Sequence, residues 1–184
     1  MFAKEMLKQS LPLLIVCGLG GILAGNIFGA MTTILRDIPG LIVVIPAVIA
    51  MRGNISTALG SRLGSAYHLG IIDAENLWNE ELKQNLLGSI TLSLIMSIII
   101  GFLAYGSSLI LNVHPNPLQL IMIVVIAGVI SGIILMLLTI MIIYFVFKRG
   151  YDPDNITGPA LATFGDVITM ICIFGSAILI GGIT

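Results

Sequence analysis

The residue with the clearest chemical potential is Asp166, because it is the one charge within the apolar run from Ile156 to the C-terminus. At about 1.5 Å per helical residue, Asp166 lies about 16 Å beyond Asn155, which is near the centre of a bilayer if a membrane helix begins there. A carboxylate at that depth costs roughly 2.5–3.5 kcal/mol on insertion scales, so water, a cation or a polar partner must compensate it. The position therefore predicts a permeation site rather than a helix cap.

Oxygen-bearing and small side chains recur around Asp166 at helical spacing. Pro159 has no N–H for the carbonyl of Asn155, so that carbonyl is free towards the same face. Carboxylate, hydroxyl and carbonyl oxygens are the ligands of hard cations such as Mg²⁺ or Ca²⁺, so Asp166, Asn155 and Thr163 are candidate metal ligands. At ~100° per residue, the members that fall within about 60° of one face are Asn155, Pro159, Ala162, Thr163, Asp166 and Thr169.

The same residues have alternative interpretations. Asp166 could be a protonated, hydrogen-bonded structural acid or one member of a proton relay. Thr163 and Thr169 could serve as hydroxyl contacts between helices. Asp152 and Asp154, just before the last apolar run, suit either a helix N-terminus or the mouth of a pore.

A second polar face is predicted between Pro39 and Leu63. Pro46 frees the carbonyl of Ile42, and Gly53 allows a backbone or a hydrated ion to approach closely. Arg52 is expected to extend to the membrane surface, with a water-filled vestibule as the alternative. The candidate path-lining residues are Pro46, Gly53, Asn54 and Thr57 here, with Pro159 and Thr169 in the last run.

The amino-acid composition indicates that these residues lie in a membrane protein. The 184 residues are 58% hydrophobic and 9% charged, with a mean hydropathy of +1.13, which indicates a membrane protein. The net charge of −1 provides no basic field for a nucleic acid, so DNA and RNA are excluded as partners. Cys17 and Cys172 lack ligand spacing and are interpreted as small apolar side chains.

Five membrane-crossing helices are predicted, which makes the chain an all-α polytopic bundle. Residues 1–10 are expected to lie on the membrane surface, and residues 11–184 to form a single transmembrane domain with no soluble domain beside it. The first apolar run is too long for the ~7–15-residue core of a signal peptide. The predicted spans are about 11–35, 39–63, 86–111, 118–147 and 155–182.

The basic residues predict the orientation, with the N-terminus cytoplasmic and the C-terminus outside. For five spans, Arg36 alone lies on the outer side, and the connection from Asp73 to Asn85 is expected to form a short interfacial helix anchored by Trp78. Glycines at four-residue spacing predict close helix contacts within a bundle or a dimer. They are Gly21, Gly25 and Gly29 in the first span and Gly128 and Gly132 in the fourth.

Two segments carry a family resemblance: IPAVIAMRGNISTALGSRL, from Ile45 to Leu63, and DPDNITGPALATFGDVITM, from Asp152 to Met170. The chain resembles the membrane domain of MgtE-type magnesium transporters, and more closely their eukaryotic solute-carrier relatives. The first segment matches the Pro, basic-Gly-Asn and Ser-Arg-Leu signature. The second matches the Asp-Pro, Thr/Gly-Pro and Gly-Asp-hydrophobic pattern that opens the last helix.

The resemblance implies a five-helix unit that works as a pair, with the ion path along the axis of the pair. It implies that Asp166 binds Mg²⁺ from both protomers and that the carbonyl of Ala162 assists. Because this chain carries one such unit, a homodimer is expected. Nothing here matches the regulatory domains of MgtE proper, and Arg52 replaces the first Gly of its Gly-Gly-Asn, so channel-like and Na⁺- or H⁺-coupled transport both stay open.

The expected function is therefore transport of a divalent cation, Mg²⁺ first, across the cell membrane by a multi-pass homodimer without enzymatic activity. An alternative is a membrane-embedded substrate-binding subunit of a multicomponent importer, which has a similar length and helix number. An intramembrane lipid-modifying enzyme would need clustered acids or histidines, and the isolated Asp166 argues against it.

Overall fold

The computed structural model describes residues 2–72, 78–149 and 153–181, with side chains for 11–72, 78–146, 148–149 and 157–181. The described residues form helices and no strands, which confirms the all-α prediction. The helices are α1 (Phe2–Ala30), α2 (Thr32–Asp37), α3 (Leu41–His68), α4 (Glu80–Ile110), α5 (Pro117–Lys148) and α6 (Pro153–Gly181).

Five of these helices, all except α2, contain a segment long and apolar enough to cross a bilayer. The segments have 20 to 31 residues, and the five-span prediction is confirmed. Residues 2–10, predicted as a surface segment, form the first turns of α1, and their place at the membrane stays a prediction. The six-residue α2 and Gly40, in the left-handed conformation at φ 82°, turn the chain from α1 into α3.

The start of α4 differs from its prediction. Asn79 caps the helix, because its side-chain oxygen accepts a hydrogen bond from the Leu82 N–H at 2.9 Å. Glu80 and Glu81 then occupy the first turn, where negative charge suits the helix dipole. Residues 80–85 are therefore the first turns of the spanning helix, and the predicted separate interfacial helix is wrong for this part. Residues 73–77 lie outside the described residues.

Helix α3 packs against α4, α5 and α6. Its fully buried Leu41, Val44 and Val48 belong to a core that includes Ile123 of α5 and Ile173 of α6. Helix α1 lies at the edge and packs mainly against α6, and no side chain of its spanning segment is fully buried. Residues on one face of α3, from Pro46 to Ser61, stay exposed among the described helices.

The two glycine series differ in how closely another helix approaches them. A Cβ atom at Gly128 would overlap Ser97 Oγ, and one at Gly132 would overlap Arg52 Nη1, so these glycines allow the close packing that their spacing predicts. A Cβ atom at Gly21, Gly25 or Gly29 would meet nothing within 4 Å. These three glycines of α1 therefore make no close contact with another described helix, in contrast to those of α5.

Gly128→Ala is expected to lower the melting temperature of the protein in detergent. The added methyl overlaps Ser97 Oγ, and overpacking of this kind costs about 1–3 kcal/mol, more than the roughly 0.5–1 kcal/mol that Ala gains over Gly in a helix. Gly88→Ala in α4 is the matched control, since its methyl meets nothing within 4 Å. If heating followed by size-exclusion chromatography finds the Gly128 variant at least as stable as the Gly88 variant, the close packing at Gly128 is refuted.

Candidate functional site

A groove of about 390 Å³ lies between α1, α3 and α6, and Asp166 is the one ionisable residue in its wall. The rest of the wall is apolar or glycine, so Asp166 is the one charged group of the wall that a ligand in the groove can contact. The groove exists because α1 leans on α6 and leaves a gap towards α3. Representative wall residues are Gly21 and Gly25 of α1, Pro46 and Ile49 of α3, and Asp166 and Met170 of α6.

The carboxylate of Asp166 is half-buried and has no protein partner among the described residues. The one ion pair in that part of the chain joins Lys83 Nζ to Glu80 Oε1 at 2.6 Å, on the exposed start of α4. No hydrogen bond from a described residue reaches Asp166, so the interpretation as a hydrogen-bonded structural acid finds no donor. No described residue therefore compensates the charge that Asp166 carries when it is ionised.

Helix α1 covers the neighbouring part of the predicted polar face. The carbonyl of Pro159 accepts hydrogen bonds from Cys17 Sγ at 3.4 Å and from Thr163 Oγ1 at 3.0 Å. A Cβ atom at Gly20 would overlap the methyl of Thr163, so glycine is what lets α1 approach this closely. The Thr163 hydroxyl and the Pro159 carbonyl are thus engaged in helix contacts.

The remaining residues of this face point in different directions. Ala162, one turn before Asp166, is exposed. Thr169 is fully buried inside the protomer and does not line the groove, and its hydroxyl has no hydrogen-bond partner among the described residues. The side chains of Asn155 and Asp154 and the whole of Asp152 lie outside the described residues.

The predicted polar face of α3 is turned out of the protomer. Pro46 lines the groove, Gly53 is half-buried, and a Cβ atom at Gly53 would meet nothing within 4 Å. An amide and hydroxyls in mid-span are unfavourable against lipid, so this face requires water or another chain beside it. The exposed members are Pro46, Ala50, Asn54, Thr57 and Ser61.

Arg52 does not extend to the membrane surface, and that prediction is wrong. Its side chain is 1% exposed and lies against Gly132 on the side of α3 away from the groove. The turn of the helix aims it at α4 and α5, where the missing Cβ of Gly132 provides room. Sequence reasoning also missed the buried Ser89, Ser93 and Ser97 of α4, although their four-residue spacing matches that of Gly128 and Gly132.

Five helices long and apolar enough to cross a bilayer define a multi-pass membrane protein, and three of them enclose a groove with a carboxylate that no described residue pairs. A family model described as MgtE, divalent cation transporter, matches residues 45–176. The chain belongs to this family. The match includes both segments on which the resemblance rests, and it spans α3 to α6.

Curated relatives agree with the eukaryotic solute-carrier branch. Solute carrier family 41 member 2 of Homo sapiens is 26% identical over 175 residues, which cover 90% of this chain and 30% of the relative. Solute carrier family 41 member 3 of Rattus norvegicus is 27% identical over 172 residues, which cover 89% of this chain and 36% of the relative. The chain thus spans about a third of the length of the curated relatives it matches.

Proposed function

We propose that this protein transports divalent cations, with Mg²⁺ as the principal cargo, along a path that passes Asp166. The observation that carries the proposal is the unpaired, half-buried carboxylate in an otherwise apolar groove of a divalent cation transporter family member. Such transport requires no covalent chemistry, so no catalytic residue is assigned.

The groove suits a cation that keeps part of its water. Mg²⁺ prefers six oxygen ligands and gives up water reluctantly. Six waters at about 30 Å³ each need about 180 Å³, which is less than the groove volume of about 390 Å³. We infer that Asp166 replaces or orients some of these waters and that the carbonyl of Ala162 contributes one turn away.

The active unit in this proposal is a homodimer. One carboxylate neutralises half of a divalent charge, and no group of three or more His, Cys, Asp or Glu residues occurs among the described residues. A closed two-fold pair supplies the second Asp166. The polar face of α3, uncovered in the protomer, then lines the axis with α6, and Pro46, Gly53, Asn54 and Thr57 follow the path.

The remaining site assignments belong to the same proposal. Asn155 acts as a secondary oxygen ligand, and Asp152 and Asp154 stand at the mouth of the path. Thr163 and Pro159 hold α1 against α6 beside the path, and Thr169 packs inside the bundle without lining it. The side that carries most Lys and Arg is cytoplasmic, which places the N-terminus inside the cell.

Purified protein in liposomes is expected to admit Mg²⁺ to an enclosed indicator dye without ATP or a second protein. Empty liposomes are the control, and trials with Na⁺ or H⁺ gradients separate channel-like from coupled transport. Competition by Ca²⁺, Mn²⁺ and Co²⁺ gives the selectivity. Absence of flux in every gradient, with recovery on adding an ATPase partner, would favour the importer-subunit alternative and overturn the proposal.

A further inference from the structure

A permanently charged side chain is enclosed in the middle of the bundle. Arg52 lies 11 residues after the start of α3, about 16 Å along the helix, and its side chain is 1% exposed. A guanidinium keeps its proton in proteins, so burial does not remove this charge. Arg52 is therefore a fixed cation at the depth where lipid and protein compensate charge least.

Three helices meet at this guanidinium. Nη1 lies where a Cβ atom of Gly132 would be, and Ser93 Oγ would be 3.1 Å from the same Cβ atom. The hydroxyls of Ser93 and Ser97 are buried and donate to carbonyls of their own helix, Ser93 to Ser89 O at 2.7 Å and Ser97 to Ser93 O at 2.6 Å. We call this contact region of α3, α4 and α5, around Arg52, Ser93 and Gly132, the arginine seam.

One complete edge of the guanidinium lacks a partner. Nε and Nη2 are buried and have no hydrogen-bond acceptor among the described residues. These two nitrogens lie side by side and present parallel N–H groups, the fork with which arginine binds anions. No described carboxylate lies within ion-pair distance, since the ion pair found there is Lys83–Glu80.

We propose that the Nε/Nη2 edge of Arg52 binds a small monatomic anion of the chloride class within the arginine seam. The tight enclosure of the side chain favours a monatomic ion over a phosphate or a carboxylate-bearing molecule. Ser93 Oγ and Gly132 lie on the Nη1 side of the guanidinium, so the proposed ligands of the anion are the Nε–H and Nη2–H groups themselves. The site is separate from the cation groove, whose α3 wall is formed by residues such as Pro46 and Ile49.

An anion at Arg52 would weaken the repulsion between Arg52 and a cation at Asp166. Gly60 of α3 faces Leu161 of α6, and Gly181 at the end of α6 faces Ile38, just before α3 begins, so the two helices run antiparallel. Interpolation between these contacts puts Asp166 within about one helical turn of the level of Arg52. A bound anion neutralises Arg52 on the side of α3 opposite the groove, which reduces its long-range repulsion of a cation at Asp166.

The test measures the thermal stability of the purified full chain in chloride and in gluconate at equal ionic strength. A ligand that binds the folded state raises the melting temperature along a saturation curve, so the native chain is expected to melt higher in chloride. Arg52→Gln is expected to lose this response. Arg62→Gln, an exposed arginine of the same helix, is the matched control and is expected to keep it.

Equal melting of the native chain in both salts, or a chloride response that survives Arg52→Gln, overturns the proposal. If the Arg52 variant does not fold, the native chain crystallised in bromide replaces it. An anomalous bromide peak within hydrogen-bonding distance of Nε and Nη2 is then the expected result, and water or the Asp166 carboxylate at that edge is the contrary one. Neither assay involves Mg²⁺ flux, so the anion site stands or falls independently of the proposed transport.

Discussion

Asp166→Asn is expected to reduce Mg²⁺ uptake about 100-fold or more while the protein still inserts and folds. Removing one partner of a poorly solvated charge interaction costs roughly 3–5 kcal/mol, and each 1.4 kcal/mol is a factor of ten. The amide retains the volume of the carboxylate and removes a charge that has no partner among the described residues, so stability is expected to hold or to rise. The loss therefore measures cation binding rather than folding.

The measurement is growth and Mg²⁺ uptake in a host that cannot import Mg²⁺, at matched amounts of protein in the membrane. Asp37→Asn, at the exposed end of α2, is the control that removes an acid without touching the groove, and it is expected to behave as the native chain. Asp166→Glu retains the charge one methylene further out and is expected to retain partial uptake. Growth of the Asp166→Asn strain equal to that of the native strain would refute the central role of Asp166.

The number of spans was predictable from the sequence because three of them depend on a local property, the length of an uncharged apolar run. The spans with Arg52 and Asp166 were predicted from helix-compatible sequence on both sides of the charge. The start of α4 was not predictable, because the side chain of Asn79 caps a polar first turn that hydropathy assigns to a loop. Apolar content locates the part of a helix inside the bilayer. The helix itself extends as far as capping and backbone hydrogen bonds allow.

The candidate site was predictable in part. The energetic cost of a lone acid in mid-span singled out Asp166, and the groove contains it. Periodicity also grouped Thr163 and Thr169 with Asp166, but it cannot tell which neighbouring helix covers each part of a face. The contact of Gly20 with Thr163 turns one part towards α1, and the interior of the bundle encloses Thr169.

Arg52 is a second residue whose neighbouring helices could not be identified from the pattern of its own helix. An arginine close to an apolar run is usually able to reach the membrane surface, and sequence reasoning chose that outcome. The decisive feature was Gly132, 80 residues later, whose missing Cβ makes room for the guanidinium. Pairing of an arginine on one helix with a glycine on another is a tertiary property, so the pattern within either helix alone does not contain it.

The second large effect expected is selective cross-linking between two copies at the polar face of α3. In a background with Cys17→Ser and Cys172→Ala, Asn54→Cys is expected to give a covalent dimer with a short bifunctional thiol reagent in membranes. Serine at position 17 keeps a donor for the Pro159 carbonyl. The physical reason is that the exposed side chain of Asn54 is in mid-span and needs a polar neighbour that the protomer itself does not provide.

Leu94→Cys in the same background is the matched control, because Leu94 is also exposed in mid-span but belongs to an apolar surface of α4 suited to lipid. It is expected to stay monomeric on a denaturing gel. Addition of Mg²⁺ is expected to slow the reaction at Asn54→Cys, since a cation on the axis occupies the space that the reagent must enter. Equal cross-linking at both positions would indicate random collision, and failure at Asn54→Cys with dimers at Leu94→Cys would move the interface to α4. Either result would contradict the proposed pairing of two Asp166 carboxylates and would leave each groove to compensate its own charge, which is the energetic problem that the proposed pair addresses.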